Sequence, residues 1–446
     1  MRQAFAAAAA VLIAALTSGP GFAQEKVVVW WNKGFYEAED KALEAVIKKW
    51  EAANPDKKIE LTFIPLTDVI PKTVSAIQAQ SVPDIGFGWL YDFQTSASWA
   101  AQGVLEDLGD VVAPIKDRLM PGIVDTVTMG GKDGKRAIYA APIHMQNMHY
   151  HYWKDMVEEA GFKPNDVPRD WKGFWDFWCV KVQDALRKKG QRIYGIGLPS
   201  STAATDTFYT YYTFLGAYGV SMLDKAGKLT IDDPKVKEGM KRALEDYAAI
   251  HAKGCTPPGS ISWTDADNNN NFHNRTTVST PNPSVSIPGK HLDDKALENY
   301  YNKIVTVEWP DGPDGTKIVY TIAVKQALVF SAARNKAGAK SFLSFLLRPE
   351  NIGLYTEGSL GRWFPVQTAL ADRDFWKDPK DPHKTAVYRQ YTERPFVPMP
   401  SVLNPGFTQL QNENVFAKAI GRIVIDKWDS GRALDEMIAR IKAVAG

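Results

Sequence analysis

Residues 26–31 (KVVVWW), 58–64 (KIELTFI) and 83–87 (PDIGF) are three short runs, β-branched or alternating, of the kind that forms strands. Between the first two, Leu43, Val46, Ile47 and Trp50 recur at i, i+3, i+4 and i+7 within residues 37–54. Glu37/Lys41 and Glu44/Lys48 add i,i+4 charge pairs, and Asn54-Pro55 ends the helix. Residues 67–81 supply a second helical segment before the third strand. This β-α-β-α-β order predicts an open α/β sheet that presents a ligand site at the carboxyl ends of its strands. The loop Asn32-Lys33-Gly34 lies at the first such end.

Upstream of that unit, residues 1–24 (MRQAFAAAAAVLIAALTSGPGFAQ) put Arg2 before an apolar run at 4–16, then Thr17-Ser18-Gly19-Pro20. The run is too short to span a hydrocarbon core of ~30 Å, and Gly21 and Ala23 fit the −3 and −1 positions of a cleavage site before Gln24. An export signal is expected, with the mature chain in the periplasm and no lipid anchor, because no cysteine lies near the cleavage site. The chain exceeds the ~250–300 residues beyond which one core stops growing, so two lobes are expected. Its 53 Lys and Arg, one of them Arg2, nearly balance 51 Asp and Glu, which argues against nucleic acid or an anionic membrane as partner. The 14 Trp, 17 Tyr and 20 Phe offer flat faces that suit carbohydrate rings, although most such residues are core.

Downstream, Trp171, Trp175, Trp178, Val182 and Ala185 form one stripe of a helix and read as core packing. Residues 193–198 read as a strand, 208–219 and 234–252 as helices, and 304–308 and 318–324 as strands separated by the turn at 310–315. A helical region runs from about 337 to the end, broken by Pro-rich loops near 379–382 and 395–405. Cys179 and Cys255 are the only thiols. In an oxidising compartment a disulfide between them is expected, within the second lobe; the alternative is that each is a small buried hydrophobe. Neither has the spacing of a zinc or redox site. His149 and His151 share one face of a β-type stretch and His144 lies on the other, so no metal and no cofactor are expected.

Four blocks in order resemble the extracellular solute-binding proteins of ABC transporters, the sugar-type family that includes maltose-binding protein. They are VVVWWNKG; residues 81–105 with Pro83-Asp84-Ile85, Trp89, Asp92 and AQGVL; APIHMQNMHYHYWKD at 141–155; and KSFLSFLLRPENIGLYTEGSLGRWFPV at 340–366. The resemblance implies two α/β lobes, discontinuous in sequence, closing on a solute. Chain crossings are expected near Pro142, 305–309 and 351–356, giving lobe 1 as 25–141 plus about 305–352 and lobe 2 as about 142–304 plus 353–446. Hinges of this kind absorb φ/ψ change while the lobes move as bodies.

Carried over position by position, the family pattern implies ligand contacts from Trp31, Asn32 and Lys33 after the first strand. Trp89 would be a stacking face and Asp92 an acceptor for two hydroxyls. Gln146 stands where the maltose-binding relative has a carboxylate, which argues against a maltodextrin. Asp206 and Phe208 open a Tyr-rich helix as an acidic and aromatic pair; as an alternative, Asp206 is only a helix N-cap. Asn269 and Asn270 are candidates within an Asn run that otherwise reads as a solvated loop, and Asn282 stands in for a missing Trp. Arg362 and Trp363 set a guanidinium beside an indole, which suits a sugar and also an acidic one.

The expected function is capture of a carbohydrate or sugar derivative and delivery to an inner-membrane permease, by a monomer without catalytic activity. A small charged solute, such as a glycerol phosphodiester, polyamine or oligopeptide, is the alternative ligand. An exported carbohydrate-active enzyme is the contrasting class. Asp84 and Asp92 give it no defined carboxylate separation, and no G-x-S-x-G, HExxH or P-loop is present.

Overall fold

The computed structural model describes residues 24–446; the expected signal and its cleavage site fall outside them. The opening unit forms as its periodicity requires. Strands Glu25–Asn32, Lys57–Ile64 and Ile85–Gly88 run parallel, with Val29 opposite both Leu61 and Ile85. Helix Glu37–Ala53 buries Leu43, Val46, Ile47 and Trp50, and helix Leu66–Gln78 follows the second strand. Glu37, Glu39 and Asp40 crowd the first turn of the longer helix, where negative charge complements the helix dipole.

Seven strands make the first sheet, in the order Phe364–Pro365, Ala141–Gln146, Tyr320–Val329, Ile85–Gly88, Glu25–Asn32 and Lys57–Ile64, with Phe396–Pro398 added alongside Tyr320–Val329. The second sheet has four, in the order Ile304–Val307, His149–Trp153, Thr277–Asn282 and Tyr194–Ile196. The chain changes sheets at 147–148 and again across 308–319. The passage expected near Pro142 therefore sits inside a first-sheet strand, and residues 305–307 remain in the second sheet. The third expected passage, 351–356, lies within helix Pro349–Gly358, which packs on Glu37–Ala53. Helix Lys384–Glu393 reaches the second sheet later, through Gln390 against His149 and His383 against Thr306.

The Trp-rich stripe is core, with one change of register. Helix Trp171–Asp176 passes into a π-turn at Phe177–Val182, whose i to i+5 bonding takes up an extra residue. Beyond it Gln183 and Leu186 are buried while Ala185 is half-exposed. Cys179, in that turn, is bonded to Cys255, their Cα atoms 4.9 Å apart. Gly195 lies against the same turn; a Cβ there would come 2.3 Å from the Trp178 carbonyl oxygen, so only glycine fits. No helix among the described residues is long and apolar enough to cross a membrane.

Candidate functional site

A cavity of about 420 Å³ opens between the two sheets. From the first-sheet side it is lined by Phe35, Trp89, Phe93, Gln146, Lys325, Arg362 and Trp363; from the other by Asp206, Tyr209, Asp265, Asn269, Asn270, Asn282 and His273. The first-sheet wall stands where parallel strands end. Asn32 closes them together: its amide donates to the Ile64 carbonyl at 3.0 Å and its Oδ1 accepts from Trp89 N at 3.0 Å. That bond fixes Trp89 at the cavity edge. The Arg362 guanidinium lies 4.0 Å from the Trp89 ring centre and 4.2 Å from that of Trp363. Trp363 donates its indole N–H to Glu39 at 2.8 Å and stacks on His144 at 4.6 Å.

Under this layer sits Lys325, fully buried in strand Tyr320–Val329. Opposite it, the register with Ala141–Gln146 slips between Lys325 and Gln326, a bulge of the kind that re-aims side chains beside sites. Its ammonium donates to the Trp89 carbonyl at 2.6 Å, to both Asp92 oxygens at 3.2 and 3.3 Å, and to Tyr209 Oη at 3.4 Å. Burial pushes Asp92 up to about 6 and draws Lys325 below its usual range, each opposed by the other's charge. The pair is a desolvated ion pair, costly to break on one side.

Helix Thr205–Ala217 carries the second wall. Asp265 caps its start, accepting from Thr205 Oγ1 at 2.7 Å and Asp206 N at 3.0 Å. Asp206 is thereby released from capping, and its carboxyl accepts from Asn268 Nδ2 at 3.3 Å. Burial, then the charge of Asp265, pushes Asp206 well above the usual carboxylate range. Burial raises Asp265 and Glu39 as well, Glu39 in spite of Arg362 at 3.8 Å. The two walls also touch directly: Tyr36 Oη donates to the Ser286 carbonyl at 3.3 Å, and Phe93 meets Tyr209 edge to face at 5.1 Å.

Of the expected contacts, Trp89, Gln146, Asp206, Asn269, Asn282, Arg362 and Trp363 share this cavity, with Asn270 beside them. Five others do not line it. Trp31 points into the core, stacked on Phe87 at 4.2 Å and donating to Tyr355 Oη, because a strand's alternation turns it to the helix-covered face. Asn32 is spent on the strand ends. Lys33 is exposed and paired with Asp40 at 2.7 Å. Asp92 neutralises Lys325 rather than facing a ligand, and Phe208 stacks on Phe416 at 4.6 Å inside the second lobe. The Asn run is a helix, Asp267–His273, not a loop.

Sequence reasoning missed Lys325, Tyr209, Asp265, Phe35, Phe93 and His273. Lys325 left a signal: it is the one charged residue in the apolar strand YTIAVKQALV, and a lysine is almost never buried unpaired. The others are aromatic or capping residues with no local pattern to separate them from core. The three histidines near 144–151 divide between sheets, His144 in the first and His149 and His151 in the second.

The sequence profile of the bacterial extracellular solute-binding proteins matches residues 45–385. The periplasmic-binding protein YcjN of an Escherichia coli K12 ABC transporter is 26% identical over 229 residues, 51% of this chain and 47% of that protein. The mannitol-binding protein of Pseudomonas aeruginosa is 25% identical over 228 residues, 49% of this chain and 47% of that one. The chain thus matches about half the length of these curated relatives. Among solved structures, an ABC transporter solute-binding protein from Thermotoga lettingae TMO bound with α-D-tagatose superposes with a TM-score of 0.76 at 20% identity, covering 95% of this chain and 100% of that one. A sugar transporter from Arthrobacter chlorophenolicus A6 with bound laminaribiose gives 0.74 at 17%, covering 94% and 100%. At these identities the likeness is one of fold: two α/β lobes around a cleft.

Proposed function

Because the chain belongs to the bacterial extracellular solute-binding proteins, we propose that it is the periplasmic component of an ABC importer that captures a carbohydrate and delivers it to a permease. The observation that carries this reading is the cavity's lining, in which the indoles of Trp89 and Trp363 face amides and carboxyls contributed by the opposite lobe. Aromatic faces cover the apolar patches of a sugar ring while Gln146, Asp206, Asn269, Asn282 and Arg362 reach its hydroxyls. The mannitol, tagatose and laminaribiose bound by the relatives are polyhydroxylated in the same way.

The solute holds the lobes together because it touches both, and its differential affinity for the closed form drives closure. The lobes turn about residues 147–148 and 308–319, where the chain passes between sheets. Tyr36 and Ser286, with Lys325 and Tyr209, meet only in the closed form. The protein acts as a monomer, needs no cofactor or metal, and returns its solute unchanged.

Protein stripped of solute by unfolding and refolding should bind at least one member of a panel of hexoses, hexitols and disaccharides in a titration calorimeter. Its radius of gyration should fall on saturation, and the sugar should be recovered intact. Absence of binding across the panel would refute the carbohydrate reading; conversion of the sugar would make it an enzyme.

A further inference from the structure

Two contacts that the lobes make with each other bound the cavity, and their residues belong to its lining. In the first, Tyr36, the residue that opens helix Glu37–Ala53, crosses to helix Ser286–Asp293 of the opposite lobe and donates its hydroxyl to the Ser286 carbonyl at 3.3 Å. Its seat there is cut by a glycine: a Cβ on Gly289 would come 2.4 Å from Tyr36 Oη. Glycine inside a helix costs backbone order and is kept where packing needs the space. In the second contact, Phe93 of the first lobe meets Tyr209 of the second edge to face at 5.1 Å, and Lys325 ties the pair by donating to Tyr209 Oη at 3.4 Å.

The wall between the two contacts is short. Phe35 packs on Tyr36 at 5.1 Å and lies 4.7 Å from the Arg362 guanidinium, which covers Trp89 at 4.0 Å. The Trp89 carbonyl accepts from Lys325 at 2.6 Å, and that ammonium is already 5.6 Å from the Phe93 ring. Arg362, Trp89 and Lys325 thus fill the interval. The cavity of about 420 Å³ stands near the small end of the ~300–1,000 Å³ range of ligand pockets. A solute longer than this interval has to run through Tyr36 or Phe93. The contact it displaces stays unmade, and part of the differential affinity for the closed form is lost with it.

We propose that Tyr36, seated against Gly289, and Phe93, set against Tyr209, are chain-length stops that limit the solute to a mono- or disaccharide and exclude longer oligosaccharides. This inference rests on the carbohydrate reading above and adds a length to it.

The test is titration calorimetry on solute-stripped protein with the hexoses, hexitols and disaccharides of the panel above, each also extended by one, two and three hexose units. The tightest binder should have one or two sugar units, and the three-unit member of its series should bind at least about 10-fold more weakly. Tyr36→Ala or Phe93→Ala should bring the two lengths close to parity, whereas Tyr36→Phe, which keeps the ring and loses only the hydroxyl, should preserve the ratio. Loss of a closing contact alone weakens every member alike, so the ratio separates a stop from a structural role. Thermal melts followed by circular dichroism show which variants fold, and the two ends of the cavity give independent variants. A three- or four-unit member that binds the parent as tightly as the shorter ones overturns the stops and leaves the carbohydrate reading intact. So does a ratio that neither truncation moves. If no member of any length binds, the carbohydrate reading falls and this inference with it.

Discussion

Two groups of buried aromatic rings do different work in this chain. In the second lobe Trp171, Trp175, Trp178, Phe214, Tyr150 and Trp309 pack ring on ring, with Trp175 stacked on Phe214 at 5.2 Å and Trp309 edge-on to Trp175 at 5.8 Å. At the cleft, Trp89 and Trp363 lie 5.6 Å apart with Arg362 between them and a cavity beyond. Both are almost fully buried, so burial does not separate a core from a site. The difference lies in the neighbours. Core rings touch rings, whereas the cleft rings touch charges and abut a cavity.

The largest effect expected from that contrast is on stability. Trp175→Ala should cost ~3–5 kcal/mol of folding free energy, because the five rings packed around it, those of Tyr150, Trp171, Phe174, Phe214 and Trp309, leave little room to collapse into the void. Chemical denaturation measures it. A loss of less than about 1 kcal/mol would mean that the cluster is loosely packed. The disulfide should weigh about the same: closing a loop of 76 residues' separation is worth about 4 kcal/mol by the chain-entropy argument. Reduction under native conditions should lower the denaturation midpoint accordingly, and thiol titration of unreduced, denatured protein should find no free thiol.

Trp89→Ala should do the opposite of Trp175→Ala. Solute affinity should weaken by ~1–3 kcal/mol through lost stacking and area, with a smaller change in melting temperature. Were Trp89→Ala to melt like Trp175→Ala and bind like the parent, the contrast between the clusters would be broken. The smallest effect concerns the strand His149–Trp153, which turns Tyr150 and Tyr152 toward Trp178 and His149 and His151 the other way. Burial pushes His149 down to about 4. Unfolded imidazole titrates near 6.5, so between those values only the unfolded chain takes the proton. The stability this group contributes is complete above pH 6.5 and is lost as pH falls toward 4. From pH 7 to 6 the loss from this group is ~0.5–1 kcal/mol, and His149→Gln should reduce the pH dependence of stability over that interval by that amount, leaving the share of His251, His273 and His383, which burial also pushes down to about 4.

The opening α/β unit was legible because Leu43, Val46, Ile47 and Trp50 and the strands beside them state one period each, and the helix at 234–252 because Pro234 stands at its first position, behind Asp233, whose carboxylate accepts from Lys235 N and Val236 N. The expected disulfide formed. What escaped was non-local. Whether Trp31 or Trp89 faces a cavity depends on which side of the sheet a helix covers, and whether Asp92 is free depends on Lys325, far away in sequence. The first two passages between sheets lie a few residues beyond Pro142 and 305–309, because pairing partners, not prolines, decide where a strand belongs, and the third lies about thirty residues beyond 351–356, which is helix. The π-turn in the Trp-rich helix leaves no composition signal.

The two-residue passage at 147–148 is not evenly shared between the lobes. The Met148 carbonyl accepts from Trp309 Nε1 at 3.1 Å, at the start of the second passage where its ring packs on Trp175 and Tyr150, and from Gln390 Nε2 at 2.8 Å, on the helix that reaches the second sheet. In mechanical terms, with the hinge proposed at 147–148, the fulcrum is bolted to one arm of the lever, and torque on closing would be taken up on the Asn147 side. Trp309 is then a built-in strain gauge whose emission should stay constant while the jaws swing, and change only if the bolt itself slips.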